Sequence, residues 1–456
     1  MKTYSRLRAT ARNRISDLGL DRNNLILYCV FVVATLMLGT GVIVYDAIHY
    51  WGGAESIVAG TLVFTDLSFR GFLSVVVYVP AAFLNALFGS QIALFAVLLQ
   101  NALVLGLVAV FLLPKLAGYW RPVGARGRGL GALLFWLVTV GFAPYPLVDL
   151  YPVLALLTML ALFQAKFPGA IVVAGFLAGI AVNIRPAYLV PVILVVLVVV
   201  VWRRWSSLMF IGGMALGLLP QFLLNGLAFK EWTIWPIGSD SLIALQASYA
   251  AYVVRYDTFL GSEAPQQFYC SPALAAQLQG ALPTSPGELA STFLGNMPNS
   301  IIFSLQKIAA ALQWPHSTPY TVPAPGLDVI FAATVTAITV VGLLAALRIA
   351  IVSRAKWSTN VWFNRAAFAA LVVGAVLTLV SSATEARFAL PLVLLGVIGC
   401  MTLPTESVRS AVSRRKVWVA VSLLLVLVVS FFGYKGLSHP APAGGVDQLI
   451  CASLLR

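Results

Sequence analysis

Long apolar stretches recur along the chain and are separated by short polar turns. Each is close to the length that crosses about 30 Å of hydrocarbon as a helix. The pattern predicts an all-α, polytopic transmembrane protein with about eleven spans, folded as a single domain over residues 1–456. The predicted spans are residues 25–44, 91–113, 129–144, 146–164, 168–184, 186–202, 207–225, 327–347, 364–382, 388–403 and 417–433.

Two longer segments interrupt this alternation. The first outer segment, residues 45–90, mixes apolar residues with scattered charges such as Glu55 and Arg70, which is typical of helices that lie in the membrane interface. The large loop, residues 227–326, is predicted to be extracytoplasmic, and loops of this length in compact proteins are usually functional. Residues 434–456 form a predicted outer tail.

Composition and charge support a membrane location and set the orientation. The 456 residues are 60% hydrophobic and only 10% charged, which excludes an ordinary soluble domain. Residues 1–24 are basic and precede an apolar stretch without a cleavage site, so we expect an uncleaved first span and a cytoplasmic N-terminus. Most of the 29 basic residues, but few of the 15 acidic residues, then fall in cytoplasmic loops. The net charge of +14 therefore reflects topology and anionic membrane lipid rather than a nucleic-acid partner.

Cysteines and sequons add little. Cys29 and Cys400 fall in predicted spans, where a thiol behaves as a small apolar group. Cys270 and Cys451 both fall on the predicted outer side, and the sequence leaves open whether they form a disulfide. The chain has no Asn-x-Ser/Thr sequon, which fits the inner (plasma) membrane of a bacterium.

Charged residues gather at one predicted level of the membrane. Asp46, Asp149, Arg185, Glu385 and Arg387 come from four different turns, and all are predicted at the outer surface with His49 and His316. Any one alone is more simply a solvated charge at a span end. Five in one layer of a charge-poor protein favour an outward-facing site.

The surroundings of these charges form an ordered series. Asp46 directly follows the first span, within a run from Tyr45 to Trp51. Asp149 opens the fourth span, Arg185 and Pro186 close the Gly-rich fifth span, and the turn before the tenth span reads Glu-Ala-Arg-Phe-Ala-Leu-Pro from residue 385. In this order the chain resembles the GT-C superfamily of membrane glycosyltransferases, which use polyprenyl-phosphate-linked sugars. The resemblance covers nearly the whole chain, although the family's Asp-x-Asp metal motif is absent, so no metal or other cofactor is predicted.

The resemblance implies transfer of one sugar from a polyprenyl-phosphate donor to a lipid, glycan or protein acceptor at the outer face of the membrane. Asp46 matches the position of the family's general base, and Asp149 is a candidate second base or orienting group. Arg387 and Arg185 are candidates for the donor phosphate, because a guanidinium binds phosphate oxygens bidentately. The candidate sugar- and acceptor-binding residues are Glu385, His49, His316 and Lys307.

Simpler structural roles compete with each assignment. Arg185 could satisfy carbonyls freed where its helix ends, and Glu385 and Arg387 could be a local pair that closes a turn. His49 lies three residues after Asp46, so on a helix the two share a face, where His49 either tunes the base or is merely interfacial. Lys307 and Arg255 are more often solvated charges in such a loop.

Two other protein classes fit parts of the sequence. O-antigen-type polymerases and ligases also act on lipid-linked glycans with large outer loops, but the early Asp46 and the Arg-Pro turn argue against them. A lipid or solute transporter places polar groups near the midplane, often in two related halves. Here the span centres are almost free of charge and no halves repeat, so glycosyl transfer is the favoured interpretation.

Overall fold

The fold is that of a helical membrane protein. A computed structural model describes residues 21–62, 70–261, 266–278, 282–322, 326–352, 359–382, 384–403 and 416–442. In these residues six helices are long and apolar enough to cross a membrane. They are Ala93–Ala117, Pro186–Arg203, Ser206–Phe229, Leu327–Val352, Thr359–Ser381 and Lys416–Gly436.

Short polar or glycine-containing turns separate the elements. The first part of the chain contains α1 (Arg22–Leu36), α2 (Asp46–Ala59), α3 (Leu73–Val76), α4 (Val79–Phe88), α5 (Ala93–Leu107), α6 (Leu113–Ala117), α7 (Ala125–Thr139), α8 (Leu150–Leu162), α9 (Ala170–Ile184), α10 (Leu189–Arg203) and α11 (Ser206–Leu224). The large loop contains α12 (Ser239–Ala250), β1 (Val253–Thr258), β2 (Gln266–Cys270), α13 (Pro272–Leu278), α14 (Pro286–Gly295) and α15 (Asn299–Leu312). The last part contains α16 (Leu327–Val352), α17 (Thr359–Ser381), α18 (Leu390–Cys400), α19 (Lys416–Gly436) and β3 (Pro440–Pro442).

The predicted spans coincide with helices in position, but five of these helices are shorter than predicted. The spans predicted at 91–113, 186–202, 207–225, 327–347, 364–382 and 417–433 fall on the six long helices. The other five fall on α1, α7, α8, α9 and α18, which have 11 to 15 residues each. A 15-residue helix spans only about 22 Å, less than the hydrocarbon core. The transmembrane character is thus confirmed, while the count of about eleven stays a prediction.

Close helix packing fixes the position of α9, which ends beside Arg185. Gly175 and Gly179 on α9 face Gly213 and Gly217 on α11, and a Cβ atom on any of the four would overlap backbone of the opposite helix. Such small-xxx-small pairs let two helix backbones approach closely within a bilayer. The α9–α11 pair is therefore held rigidly, together with the turn that follows α9.

The two segments between spans are largely folded. The first outer segment contains α2, α3 and α4 in its described residues. Where the structure describes it, the large loop carries four α-helices and two strands, and β1, β2 and β3 form an antiparallel sheet in that order. The sheet is not predicted from the sequence, because five of the six β1 residues are buried and alternation is lost. The Tyr256 amide of β1 donates to the Thr384 carbonyl at 2.9 Å, so the sheet is docked on the turn that carries Glu385.

The cysteines separate into two groups. Cys29 and Cys400 are free thiols. Cys270, in β2, is disulfide-bonded. Cys451 lies outside the described residues, so the structure does not test whether it pairs with Cys270, which the sequence leaves open.

Candidate active site

Six charged side chains from distant parts of the chain meet at the ends of several helices. Five were predicted from the sequence, and the sixth is Arg70. We call this group the six-residue cluster. It consists of Asp46 at the start of α2, Arg70 before α3, Asp149 before α8, Arg185 after α9, and Glu385 and Arg387 before α18.

Arg387 is the centre of the six-residue cluster. Its Nη2 lies 3.0 Å from Oδ2 of Asp46, and its Nη1 lies 3.4 Å from Oδ2 of Asp149. Its Nε donates to Oε2 of Glu385. The side chain is only 5% exposed. Since one guanidinium offers five donors in a fixed plane, Arg387 can hold all three carboxylates at once.

Both oxygens of Asp46 are occupied. Oδ1 accepts from Nη2 of Arg70 at 2.7 Å, while Oδ2 accepts from Arg387. Burial alone would raise the pKa of Asp46, but Arg387, Arg70 and Arg185 outweigh it and hold that pKa well below its usual range. Asp46 is therefore a carboxylate at any physiological pH.

Arg185 pairs with Asp149 on the other side of the cluster. Nη1 of Arg185 contacts Oδ1 of Asp149, whose side chain is only 3% exposed. The guanidinium also lies over the ring of Phe388, with its Cζ 4.3 Å from the ring centre. From the sequence, Arg185 could have served only to satisfy carbonyls at the end of α9. In the structure it pairs with a buried carboxylate at the start of α8.

Glu385 links the six-residue cluster to the large loop. Its Oε1 accepts from the Thr258 hydroxyl of β1 at 2.8 Å, while its Oε2 accepts from Arg387. Burial raises the pKa of Glu385, with Arg387 and the Thr258 hydroxyl opposing the rise. Glu385 and Arg387 thus form the local pair considered from the sequence, and that pair also belongs to a larger network.

A buried polar network positions the turn that carries Asp149. Asn101 of α5 donates to the carbonyls of Ala143 and Tyr145 at 2.9 and 3.2 Å. Its side-chain oxygen accepts from the Tyr151 hydroxyl at 2.7 Å, and Gln100 donates to that hydroxyl at 3.0 Å. Polar groups buried in an apolar bundle are costly unless paired, so this network specifies one arrangement of the turn.

Two backbone features position Asp46 and Arg70. Tyr45 has a φ of 52°, an uncommon conformation for a residue other than glycine, and its hydroxyl donates to the Phe259 carbonyl at 2.8 Å. Gly71 packs so tightly on the end of α9 that a Cβ atom would overlap the Asn183 carbonyl oxygen. The next two amides, of Phe72 and Leu73, donate to side chains of α11 and α9. Arg70 is therefore held beside the helix end that leads to Arg185.

Three predicted site residues lie outside the six-residue cluster. His49 is exposed on α2 and makes no hydrogen bond with Asp46 or the other five cluster residues. His316 pairs with Asp328 at the start of α16, with Nε2 and Oδ1 3.1 Å apart. Lys307 is fully buried in α15 and donates to the carbonyls of Ala250 and Val380 at 3.4 and 3.2 Å.

The interpretation of Lys307 and Arg255 as solvated charges is wrong. Burial lowers the pKa of Lys307 to about 7. Arg255 is 2% exposed and forms a bidentate pair with Asp257, with contacts of 2.8 and 2.7 Å. Arg255 holds the large loop together from within, through Asp257 and the carbonyls of Ala310 and Gln313, while Lys307 joins the loop to Val380 of α17.

Sequence reasoning missed Arg70 and Thr258 as members or neighbours of the site. Arg70 was recognised only as one of several scattered charges in the first outer segment. A usable signal was the Arg-Gly pair at residues 70–71, since a glycine beside a charge often marks close backbone approach. Thr258 offered no such signal, because its role depends on the docking of the unpredicted sheet.

A small apolar cavity is lined by residues about one helical turn from three members of the six-residue cluster. Val153 follows Asp149 by four residues, Tyr188 follows Arg185 by three, and Pro391 follows Arg387 by four. These residues line the cavity with Leu157, Pro191, Leu371 and Leu395, among others. The cavity is about the size of one water molecule, and its lining belongs to the apolar helices next to the charged residues.

The arrangement can hold an anion and activate a hydroxyl group. The six-residue cluster has three carboxylates and three guanidiniums, so its formal charges balance. Within the described residues, no group of three His, Cys, Asp or Glu side chains is placed to hold a metal ion.

The chain matches no known protein-family model, no curated protein and no solved structure.

Proposed function

We propose that the protein is an integral membrane glycosyltransferase of the GT-C type. It would move a single sugar from a polyprenyl-phosphate donor to a lipid, glycan or protein acceptor at the outer face of a bacterial inner membrane. The observation that carries the proposal is the six-residue cluster, which brings the Asp46 carboxylate together with two partly exposed guanidiniums, Arg70 and Arg185, at the ends of apolar helices. Asp46 is the proposed general base.

The two parts of the site correspond to the two parts of such a donor. A polyprenyl phosphate has a charged head and a long branched hydrocarbon tail. Arg185 and Arg70 are 23% and 33% exposed, so they are the cluster cations open to a phosphate. The apolar helices that carry Val153, Pro191 and Leu371 lie beside the cluster and offer apolar surface for the tail.

The roles proposed from the sequence need one adjustment. Arg387 was a leading candidate for the donor phosphate, yet its side chain is 5% exposed and saturated by three carboxylates. We assign Arg387 to positioning Asp46, Asp149 and Glu385. Arg185 keeps its proposed phosphate role, which it shares with Arg70.

The proposed reaction is a single displacement at the anomeric carbon of the donor sugar. The acceptor oxygen forms a bond to that carbon while its proton passes to the Asp46 carboxylate. The bond between the anomeric carbon and the phosphate oxygen breaks, and its electrons leave with the phosphate. The guanidiniums stabilise this leaving charge, which is typically a large part of catalysis. The product has inverted configuration at that carbon.

The proposal is tested by the products missing from cells that lack the protein. Lipids, envelope glycans and surface proteins of a deletion strain are compared by mass spectrometry after rescue with wild type, Asp46→Asn or Asp240→Asn. Asp240 is an exposed carboxylate of α12 and serves as the matched control. We expect a product short by one sugar, restored by wild type and Asp240→Asn but not by Asp46→Asn.

Other outcomes separate the alternatives. Normal products in the strain rescued by Asp46→Asn would remove the assignment of the base. Accumulation of an intact molecule on one side of the membrane would indicate transport instead. The amount of Asp46→Asn protein in the membrane, measured by immunoblot, must equal that of wild type.

A further inference from the structure

The occupancy of Asp46 conflicts with its proposed role. A general base must accept a proton on one of its oxygens, but Oδ1 is bound to Arg70 and Oδ2 to Arg387. The same two cations hold the pKa of Asp46 far from the value that suits a base near neutral pH. Asp46 is therefore masked by its two arginines, and one of them has to leave before it can act.

Arg387 is not the arginine that can leave. Its side chain is 5% exposed and contacts Asp149 and Glu385 as well as Asp46. Moving it would leave Glu385, 5% exposed, without a cation and Asp149, 3% exposed, with Arg185 alone. An unpaired buried charge is strongly destabilising, so the rest of the site holds Arg387 in place.

Arg70 can leave at much lower cost. Its side chain is 33% exposed, and its only other charged or polar partner among the described residues is the hydroxyl of Tyr50, a neutral group. The adjacent Gly71 packs on Asn183 and fixes the backbone of Arg70, so the guanidinium can move while the backbone stays in place. A rotation about its own side-chain bonds exposes Oδ1 of Asp46 without disturbing Arg387.

We propose that Arg70 is a donor-binding residue that exchanges Asp46 for the phosphate of an isoprenyl phosphate. The exchange rests on the proposed function, since the donor supplies the phosphate. The guanidinium stays ionised throughout and only changes its partner from a carboxylate to a phosphate. Loss of one cation frees Oδ1 and raises the pKa of Asp46 toward the ordinary range. The base is thus unmasked only when a donor is bound.

The exchange predicts a specific coupling between Arg70 and Asp46. The test measures binding of farnesyl phosphate, which carries no sugar, to full-length protein in detergent by isothermal titration calorimetry. Four proteins are compared: wild type, Arg70→Gln, Asp46→Asn and the double variant. We expect Arg70→Gln to weaken binding roughly tenfold, because a charge-assisted contact is lost. We expect Asp46→Asn to strengthen binding several-fold, because Arg70 no longer has to leave a carboxylate.

The double variant distinguishes exchange from general electrostatics. Removing the negative charge of Asp46 favours any nearby anion, and that gain would persist in the Arg70→Gln background. If the exchange occurs, Asp46→Asn gives no gain in affinity in the Arg70→Gln background, because no arginine is left to be released. Equal gains in both backgrounds, or unchanged affinity in Arg70→Gln, would overturn the proposal.

Controls separate failure of this proposal from failure of the proposed function. Arg128→Gln removes another carboxylate-paired arginine, 3.7 Å from Asp21, and should bind farnesyl phosphate like wild type. Arg70→Lys keeps the charge and should retain part of the affinity, and equal melting temperatures establish folding. If binding shows the coupling between Arg70 and Asp46 but the Asp46→Asn variant restores all glycans in the deletion strain, the exchange stands and the transferase is rejected. If binding shows no coupling but the Asp46→Asn variant fails to restore the glycans, the transferase stands and the exchange is rejected.

Discussion

At the scale of residues, Arg387 decides whether the site exists at all. It is the only cluster cation in contact with all three carboxylates, and both Asp149 and Glu385 are nearly inaccessible to water. Removing one partner from a buried ion pair is strongly destabilising because an uncompensated charge stays behind. The stability of the helix ends around Arg387 therefore depends on this one side chain.

We expect Arg387→Gln to lower the free energy of unfolding by about 3–5 kcal/mol near neutral pH. Glu385, left without its cation, would then have a pKa raised further by burial, so the folded state would bind more protons than the unfolded one. Its stability should therefore fall as pH rises from 5 to 8 and recover at the acidic end. Tryptophan fluorescence during thermal unfolding in detergent measures both effects. Arg128→Gln should show neither, and a flat pH profile for Arg387→Gln would contradict the assigned role.

Lys307 makes a second residue-scale prediction. Burial lowers its folded-state pKa to about 7, against an ordinary value of about 10.4 when unfolded. Between these values the unfolded chain binds more protons, so stability should rise with pH by up to about 1.4 kcal/mol per unit. The melting temperature of wild type should thus increase from pH 7 to 9. Lys307→Met should have a higher melting temperature than wild type at pH 7 and should not show the increase between pH 7 and 9. The same pH dependence of the melting temperature in both proteins would show that burying the Lys307 ammonium group does not destabilise the fold.

At the scale of elements, glycines rather than charges set the geometry of the site. The α9–α11 contact fixes Asn183 and Arg185, and through Gly71 it also fixes Arg70. Close backbone contact leaves no space for side chains in this pair. The two helices act as one unit that positions two of the cluster's three arginines, Arg70 and Arg185.

Two adjacent glycines of α11 provide a matched test. A Cβ atom at Gly213 would overlap the Val172 carbonyl oxygen, whereas Gly212 has open space around its Cβ position. We expect Gly213→Ala to separate the helices and lower the melting temperature by several degrees. Gly212→Ala should be neutral or slightly stabilising, because alanine favours the helix. Similar melting temperatures for the two variants would show that the close contact contributes little.

The elements also explain which parts of the site the sequence could reveal. Asp149, Arg185, Glu385 and Arg387 could be predicted because apolar runs indicate where a helix begins or ends, and each charge stands beside such a point. Asp46 was also predicted, although α1 ends at Leu36 and Asp46 begins α2. Arg70 and Thr258 could not be predicted, because they lie in a segment without periodicity and in an unpredicted strand. Lys307 was misjudged because its burial depends on the contact of the large loop with α17, which leaves no mark on the hydrophobic pattern. Local periodicity therefore predicts helix ends, while contacts between loops and helices require the fold.

At the scale of the whole molecule, the proposed function depends on which side of the membrane carries the six-residue cluster. The cluster lies at the helix ends opposite Arg203 and Arg204, which close α10 at the predicted cytoplasmic side. Arg203 stacks on Phe363 at the start of α17, with its Cζ 4.5 Å from the ring centre. Basic residues at one end and a neutral cluster at the other are what the positive-inside rule demands. A donor presented at the outer face is available only in that orientation.

Orientation is testable with two single cysteines in intact cells. Trp205 is 83% exposed in the turn between α10 and α11, and Asp240 is exposed in the large loop. We expect a membrane-impermeant maleimide to label Asp240→Cys but not Trp205→Cys, each in a Cys29→Ser background. Permeabilised cells should label both, which shows that both thiols are reactive. Labelling of Trp205→Cys alone in intact cells would place the six-residue cluster in the cytoplasm. Transfer at the outer face would then be ruled out, because Asp46 and the other cluster residues would lie on the cytoplasmic side of the bilayer.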